Sequence, residues 1–320
     1  MTEVVDAQAA SEISLYKGDE WHEVRAKHIG GSEIASLFNV QPDYAIGAHG
    51  LWLIKAGRVP APEVDNQRAR WGLQLEEAIA QGCAEQEGWK IRKGGYFSDP
   101  HCRGLGATLD YVIEEGEEGR TTLGILEIKN VDYGVHKRSW ADGEPPLHIL
   151  LQLQHQLACT GFTWGAIGEL IGGNDLRVYR FEARPKIIAQ IRAKVAAFWQ
   201  SIDDDIPPPV DDSSQTGAVL RALNTPIVDE IADFELDNEL PDICAGLLSS
   251  ASRRKAIEKE EQGYKNRLIA KLGTAQKARC AGFFINTIVV PEKAPRAALP
   301  GEIISGRKEA RRYDVKEVSL

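Results

Sequence analysis

Gly124-Ile125-Leu126-Glu127-Ile128-Lys129 is the stretch on which the reading of this chain turns. Its branched apolar residues, preceded by the charged turn Glu114 to Arg120, predict a strand. Side chains alternate along a strand, so Glu127 and Lys129 point one way while Leu126 and Ile128 enter the opposite layer. The strand before it, within Leu105 to Ile113, supplies a second carboxylate, Asp110. Two carboxylates offer hard oxygen ligands to Mg2+, which keeps several waters and takes one or two protein carboxylates together with substrate phosphate. Such a cation lowers the pKa of water and offsets charge on a reacting phosphodiester. The lysine would orient or deprotonate the attacking water, or stabilise the developing charge. Taken alone, an Asp and a Glu-x-Lys also describe an ordinary solvated face, because short motifs recur by chance.

Outward from that strand, the pattern predicts an α/β core. Gly30-Gly31-Ser32 reads as a turn and serine cap opening a short helix. A second helix spans about Trp71 to Glu87. Short β-type runs follow at Lys90 to Phe97, Leu105 to Ile113 and Leu123 to Ile128. Helical periodicity returns in Leu147 to Thr160, gives way to strands around Trp164 to Leu170 and Leu176 to Phe181, and resumes in Pro185 to Ile202. Acidic residues and prolines in Asp203 to Gln215 mark a boundary. The expected division is an arm at 1–20, a core at 21–205 and an accessory module at 206–320. That module is read as a small α+β appendage, with a charged helix from Asp242 to Leu272, a strand at Ala281 to Val290 and a basic tail. Its role stays open between subunit pairing, DNA or partner contact, and a stabilising appendage.

Bulk properties exclude several classes. The 320 residues are 43% hydrophobic and 27% charged, as in soluble globular proteins. No apolar run is long enough for a membrane span, and Met1 to Ser14 is acidic and alanine-rich, unlike a secretory signal. The five cysteines are scattered without a Cys-x-x-Cys pair, which points to a reducing cytoplasm. A net charge of −9 argues against nonspecific coating of nucleic acid. The histidines lack zinc-site spacing. Trp140, Trp164 and Trp199 are expected to pack rather than stack on bases.

Five segments in order resemble the YqaJ-like viral recombinases and lambda-type phage alkaline exonucleases, within the wider PD-(D/E)xK nucleases. They are Arg25 to Ala35, Trp71 to Glu76, Gly106 to Tyr111, Leu126 to Asn130, and Gln152 to Gly161. The resemblance covers about residues 20–200 and implies a restriction-endonuclease-like fold, a central mixed β-sheet flanked by helices. It implies Asp110, Glu127 and the carbonyl of Ile128 as Mg2+ ligands, Lys129 as catalytic lysine, and Glu76 as support for a second ion, with Mn2+ a possible substitute. Gln152 matches a helix glutamine that touches the active site, with Gln154 and Gln156 as competitors. Arg25 and Ser32 match residues that hold a 5′-phosphate, and Ser32 after two glycines at a helix N-terminus is a ready anion site. A solvated acid at Glu76 and a surface arginine at Arg25 are the alternatives. Lys137 and Arg138 are candidates for phosphate contact in the loop after the strand, or simply solvated. Leu109 departs from the proline usual before the aspartate.

The activity so implied is 5′-to-3′ exonucleolysis of linear double-stranded DNA, leaving 3′ overhangs for recombination by strand annealing. It brings with it a single-strand annealing protein as partner, a homo-oligomeric ring, trimeric by resemblance, and a phage or prophage origin in a bacterial host. A structure-specific endonuclease and an inactive DNA-binding module on the same fold are the alternatives.

Overall fold

The computed structural model describes residues 19–61, 67–116, 121–140, 143–224, 232–290, 296–297, 303–304 and 310–317. The arm expected at 1–20 lies almost wholly outside them. Two compact units divide the chain, Met1–Val228 and Asp229–Leu320.

The first unit opens with helices α1 (Asp19–Ala26), α2 (Ile34–Leu37), α3 (Ala48–Lys55) and α4 (Gln67–Glu87). Strands β1 (Lys90–Lys93), β2 (Tyr96–Ser98), β3 (Gly106–Thr108), β4 (Tyr111–Glu115) and β5 (Thr122–Val131) follow, then α5 (Tyr133–Ser139) and α6 (Leu147–Thr160). The unit is completed by β6 (Trp164–Ile171), β7 (Asp175–Glu182), α7 (Pro185–Asp203) and α8 (Ser214–Leu223). One sheet has the order β1-β4-β5-β6-β7, antiparallel except for the parallel pair β5/β6. Parallel neighbours need a crossover, and α5 with α6 supplies it.

The alternation expected of β5 is what orders the layers. Leu126 and Ile128 pack with Ile79, Ala80 and Cys83 of α4 on one face. Ile125 packs with Leu153 and Leu157 of α6 on the other, the face that Glu127 and Lys129 share. Both helices approach β6 closely because it carries glycine there. A Cβ at Gly165 would lie 2.8 Å from Leu153, and one at Gly168 would lie 2.5 Å from the Cys83 sulfur. The three tryptophans read as packing residues, Trp140, Trp164 and Trp199, are buried.

Two strands of the sequence reading are each divided in the structure. Lys90 to Phe97 splits into β1 and β2, and Leu105 to Ile113 into β3 and β4; β2 and β3 pair as a separate hairpin. The chain therefore crosses between sheets twice, at Gly94-Gly95 and at Leu109-Asp110. The crossings are bonded together, Leu109 N–H to the Gly95 carbonyl at 3.0 Å and Gly94 N–H to the Asp110 carbonyl at 3.0 Å. A side chain at Gly94 would strike Leu109. Asp110 thus stands at the break, free of regular pairing. Leu109 is buried, and its N–H makes a bond that a proline there would lack.

The boundary expected after residue 205 falls later. Ser213 caps α8 by accepting the Thr216 N–H at 3.0 Å, and it also accepts the Gly47 N–H at 3.0 Å. Asp211 accepts the His49 N–H at 3.0 Å. These bonds satisfy otherwise orphaned donors at the start of α3, so the acidic proline segment is anchored to the core. The second unit holds α9 (Leu240–Leu272), β8 (Lys277–Cys280) and β9 (Phe283–Val290), and β9 also pairs with the terminal strand Ala310–Glu317. Arg311, Arg312 and Lys316 lie on that strand rather than in a tail; Lys293, Arg307 and Lys308 fall outside the described residues. No helix among the described residues is long and apolar enough to cross a membrane.

Candidate active site

β5 outruns β4, which begins at Tyr111 opposite Leu126. Beyond that pair Asp110 takes over from backbone: the Ile128 N–H donates to its Oδ2 at 2.8 Å. In antiparallel pairing a residue presents its N–H and C=O to the same side, which directs the Ile128 carbonyl toward Asp110 as well. Glu127 is buried, 3% exposed, and its carboxylate is bracketed. Its Oε1 accepts from Lys129 Nζ at 2.7 Å and from Gln152 Nε2 at 2.6 Å. Its Oε2 accepts from Gln156 Nε2 at 2.6 Å. Lys129 also donates to Gln152 Oε1 at 3.1 Å. Gln152 and Gln156 are one helical turn apart, so they stack on the face of α6 turned to the sheet.

The charges are unequal in consequence. Burial, followed by the negative charges of Glu127 and Glu76, pushes the Asp110 carboxyl well above the usual aspartate range. Burial alone would lower Lys129, but the attraction of Glu127 and Asp110 outweighs it and holds the ammonium above its ordinary value. Lys129 is therefore a cation near neutral pH, a donor and charge stabiliser rather than a base. A field this negative around Asp110 suits a hard cation.

The donors fit such an ion in kind. Among the described residues no group of three or more His, Cys, Asp or Glu side chains is arranged to hold a metal alone. Mg2+ does not require one, since it takes one or two carboxylates and completes its shell with water and phosphate.

The other sequence-predicted residues divide. Glu76 on α4 is ion-paired with Lys93, whose ammonium sits 4.4 Å from the centre of the Tyr111 ring. Its charge reaches Asp110, but its carboxylate is engaged elsewhere. Ser32 is exposed and caps nothing: α2 has four residues, and Glu33 stands at its N-cap position without a side-chain cap bond. Glu33 instead accepts the Gly30 N–H at 2.7 Å and pairs with Lys55 at 2.9 Å. An acid thus occupies the turn read as an anion site, and the helix is too short to provide one. Arg25 lies in the last turn of α1, its backbone carbonyl held by Lys55 at 3.0 Å. The turn still borders the centre, because a Cβ on Gly31 would lie 3.1 Å from Gln152 Cγ. Lys137 and Arg138 are exposed on α5, a helix rather than a loop, capped by Asp132.

Sequence reading weighed Gln156 only as a competitor to Gln152, whereas the structure brings both to Glu127. Their spacing of one turn was the available signal. Gln154 points away, bridging the Glu182 carbonyl at 2.9 Å and the Arg184 N–H at 2.7 Å. Lys55 had no signal, since its partners are distant backbone. A cleft of about 430 Å3 beside Cys102 and Trp199 is lined by Arg103 and Arg192, but these are paired with Asp203 and Asp99. It lies apart from the chemistry.

A central mixed sheet flanked by helices, with paired carboxylates and a lysine where one strand outruns its neighbour, defines the restriction-endonuclease-like fold. Residues 20–163 match the model of the YqaJ-like viral recombinase domain. The uncharacterized protein YqaJ of Bacillus subtilis (strain 168) is 29% identical over 196 residues, 60% of this chain and 59% of that protein's length. A crystal structure of an alkaline exonuclease (LHK-Exo) from Laribacter hongkongensis aligns with a TM-score of 0.50 at 22% identity. It covers 59% of this chain and 94% of that one, and the same enzyme in complex with dAMP gives the same figures. At that identity the likeness concerns the fold.

Proposed function

We propose that this chain is a divalent-cation-dependent exonuclease that degrades one strand of linear duplex DNA from a 5′ end, leaving 3′ overhangs. The observation that carries the reading is the bracketed Asp110–Glu127–Lys129 cluster where β5 outruns β4. The alkaline exonuclease activity named for the Laribacter neighbour and the YqaJ family match support it. Asp110, Glu127 and the Ile128 carbonyl would hold Mg2+, with Mn2+ as substitute, and Glu76 would serve a second ion after release from Lys93. Bound there, the cation supplies Lewis-acid polarisation of the phosphoryl oxygen and an activated water.

The chain's own groups do the rest. Glu127 is held in place by its amide and ammonium donors, which fix the direction of both carboxylate oxygens. Lys129, kept protonated, stabilises the negative charge that builds on the reacting phosphate. Gln152 ties that lysine to the carboxylate and limits its wandering. The Arg25 and Ser32 side chains, rather than the end of α2, would receive the terminal 5′-phosphate, and Lys137 with Arg138 the backbone phosphates. A role in recombination by strand annealing, with an annealing protein as partner and a trimeric ring around duplex, extends the same reading. A ring would also supply the hold on DNA that a net acidic chain lacks.

The test compares linear duplex bearing 5′-phosphates with covalently closed circles, in Mg2+ and in EDTA. Linear substrate should lose 5′ nucleotides only with the cation, and Glu127→Gln should cut the rate at least roughly a thousandfold. Circles cleaved as readily as linear DNA would replace this reading with an endonuclease.

A further inference from the structure

We infer that Gln156 is a positioning residue for Glu127, a second amide that fixes the carboxylate plane from the buried side. The inference rests on the nuclease reading above. The two carboxylate oxygens are unequally served. Oε1 has two donors, and both face the centre, where Lys129 must also serve the reacting phosphate. Oε2 has one among the described residues, Gln156 Nε2 at 2.6 Å, arriving from within the core. Without it the carboxylate would be free to turn about its Cγ–Cδ bond, and both oxygens would lose their aim.

Packing does not account for this amide. Gln156 is 1% exposed, and its Oε1 is buried without a hydrogen-bond partner. Leaving a buried carbonyl unpaired costs stability that an apolar side chain of equal length would not incur. Reversing the amide would remove the one donor that Oε2 has among the described residues and set oxygen against carboxylate, so the orientation is fixed by charge. Gln152 cannot take over, because its nitrogen is committed to Oε1. Gln154, between them in sequence, bonds to backbone on another face and is the natural control.

The experiment uses Gln156→Met, which keeps length and shape while removing the donor, with Gln154→Met beside it in the full chain. Three quantities are read: the melting temperature, Mn2+ affinity by calorimetry without DNA, and the split between kcat and KM on linear duplex. For Gln156→Met the melting temperature should change little, because relief of the unpaired carbonyl offsets loss of the donor to Oε2. Its Mn2+ affinity and kcat should fall roughly ten- to a hundredfold, the worth of one hydrogen bond to a charged group, with KM for DNA unchanged. Gln154→Met should lower the melting temperature and leave kcat alone. Mn2+ affinity and kcat within about twofold of the parent, or losses that track a fall in melting temperature, would overturn the positioning role. If the parent chain releases no nucleotides with Mg2+, the nuclease reading fails separately. Mn2+ affinity then decides the role of Gln156: weaker binding by the variant supports it, and equal binding overturns it.

Discussion

Helices α6 and α9 behave as opposites. Ten of the fourteen residues of α6 are buried, whereas none of the thirty-three in α9 is. On α6 even Gln154, His155 and Gln156 are enclosed, so each polar atom has a restricted set of partners and a defined direction. On α9 large apolar side chains, Ile243, Leu247, Leu248, Ile257 and Tyr264, are more than half exposed. Its support is local: helix length beyond the roughly 12–15 residues at which isolated helices become viable, and one-turn ion pairs such as Arg254–Glu258 and Lys265–Glu261. Each such pair contributes only about 0.2–0.5 kcal/mol. Geometry good enough for chemistry comes from tertiary enclosure, and α6 has it.

Leu157→Ala is the strongest way to break that contrast. Leu157 is 1% exposed, between α6 and the sheet. Its truncation should cost roughly 2–5 kcal/mol in urea unfolding, as transfer and cavity terms add. A cost below about 1 kcal/mol would mean that α6 is not held by its packing.

Next in size is Asp110→Asn, whose effect has the opposite sign. Asp110 binds its proton more tightly folded than unfolded, because burial and the neighbouring carboxylates disfavour its charge. Its ionisation therefore removes stability, which is present at pH below the ordinary aspartate range and lost as pH rises through the raised folded value. The asparagine variant, still able to accept from Ile128, should be more stable than the parent in EDTA near neutral pH, and inactive. The gap should narrow on acidification and shrink when Mg2+ is added to the parent. Melts at several pH values check it, and a gap that ignores pH would remove the charge explanation.

That same residue shows what sequence could and could not say. The faces of β5 were legible because alternation follows from backbone geometry, and α6 emerged with its observed limits because its apolar spacing is strong. Asp110 and Glu127 could be named as carboxylates on neighbouring strands. The break at Leu109-Asp110 was not legible, since it depends on Gly94 and Gly95 facing it from another strand. Ser32 was misread as a helix cap because local capping rules cannot foresee Glu33 turning back to Gly30 while Lys55 approaches from α3. α3 itself went unnoticed: Ala48 to Lys55 is apolar nearly all round, so it has little amphipathic period to detect. The boundary after residue 205 followed composition, whereas Asp211 and Ser213 follow the unpaired donors of that unseen helix.

The smallest expected effect lies on α9. Leu247 is 70% exposed, so Leu247→Ala removes little buried surface, and alanine has the higher helix propensity. Stability should move by no more than about 0.5 kcal/mol in either direction. Urea unfolding at two protein concentrations makes this a sharper test than a single melt. A larger loss that grows with protein concentration would show that α9 is enclosed by association in solution. The contrast with α6 would then be one of partner, intramolecular against intermolecular, rather than of burial.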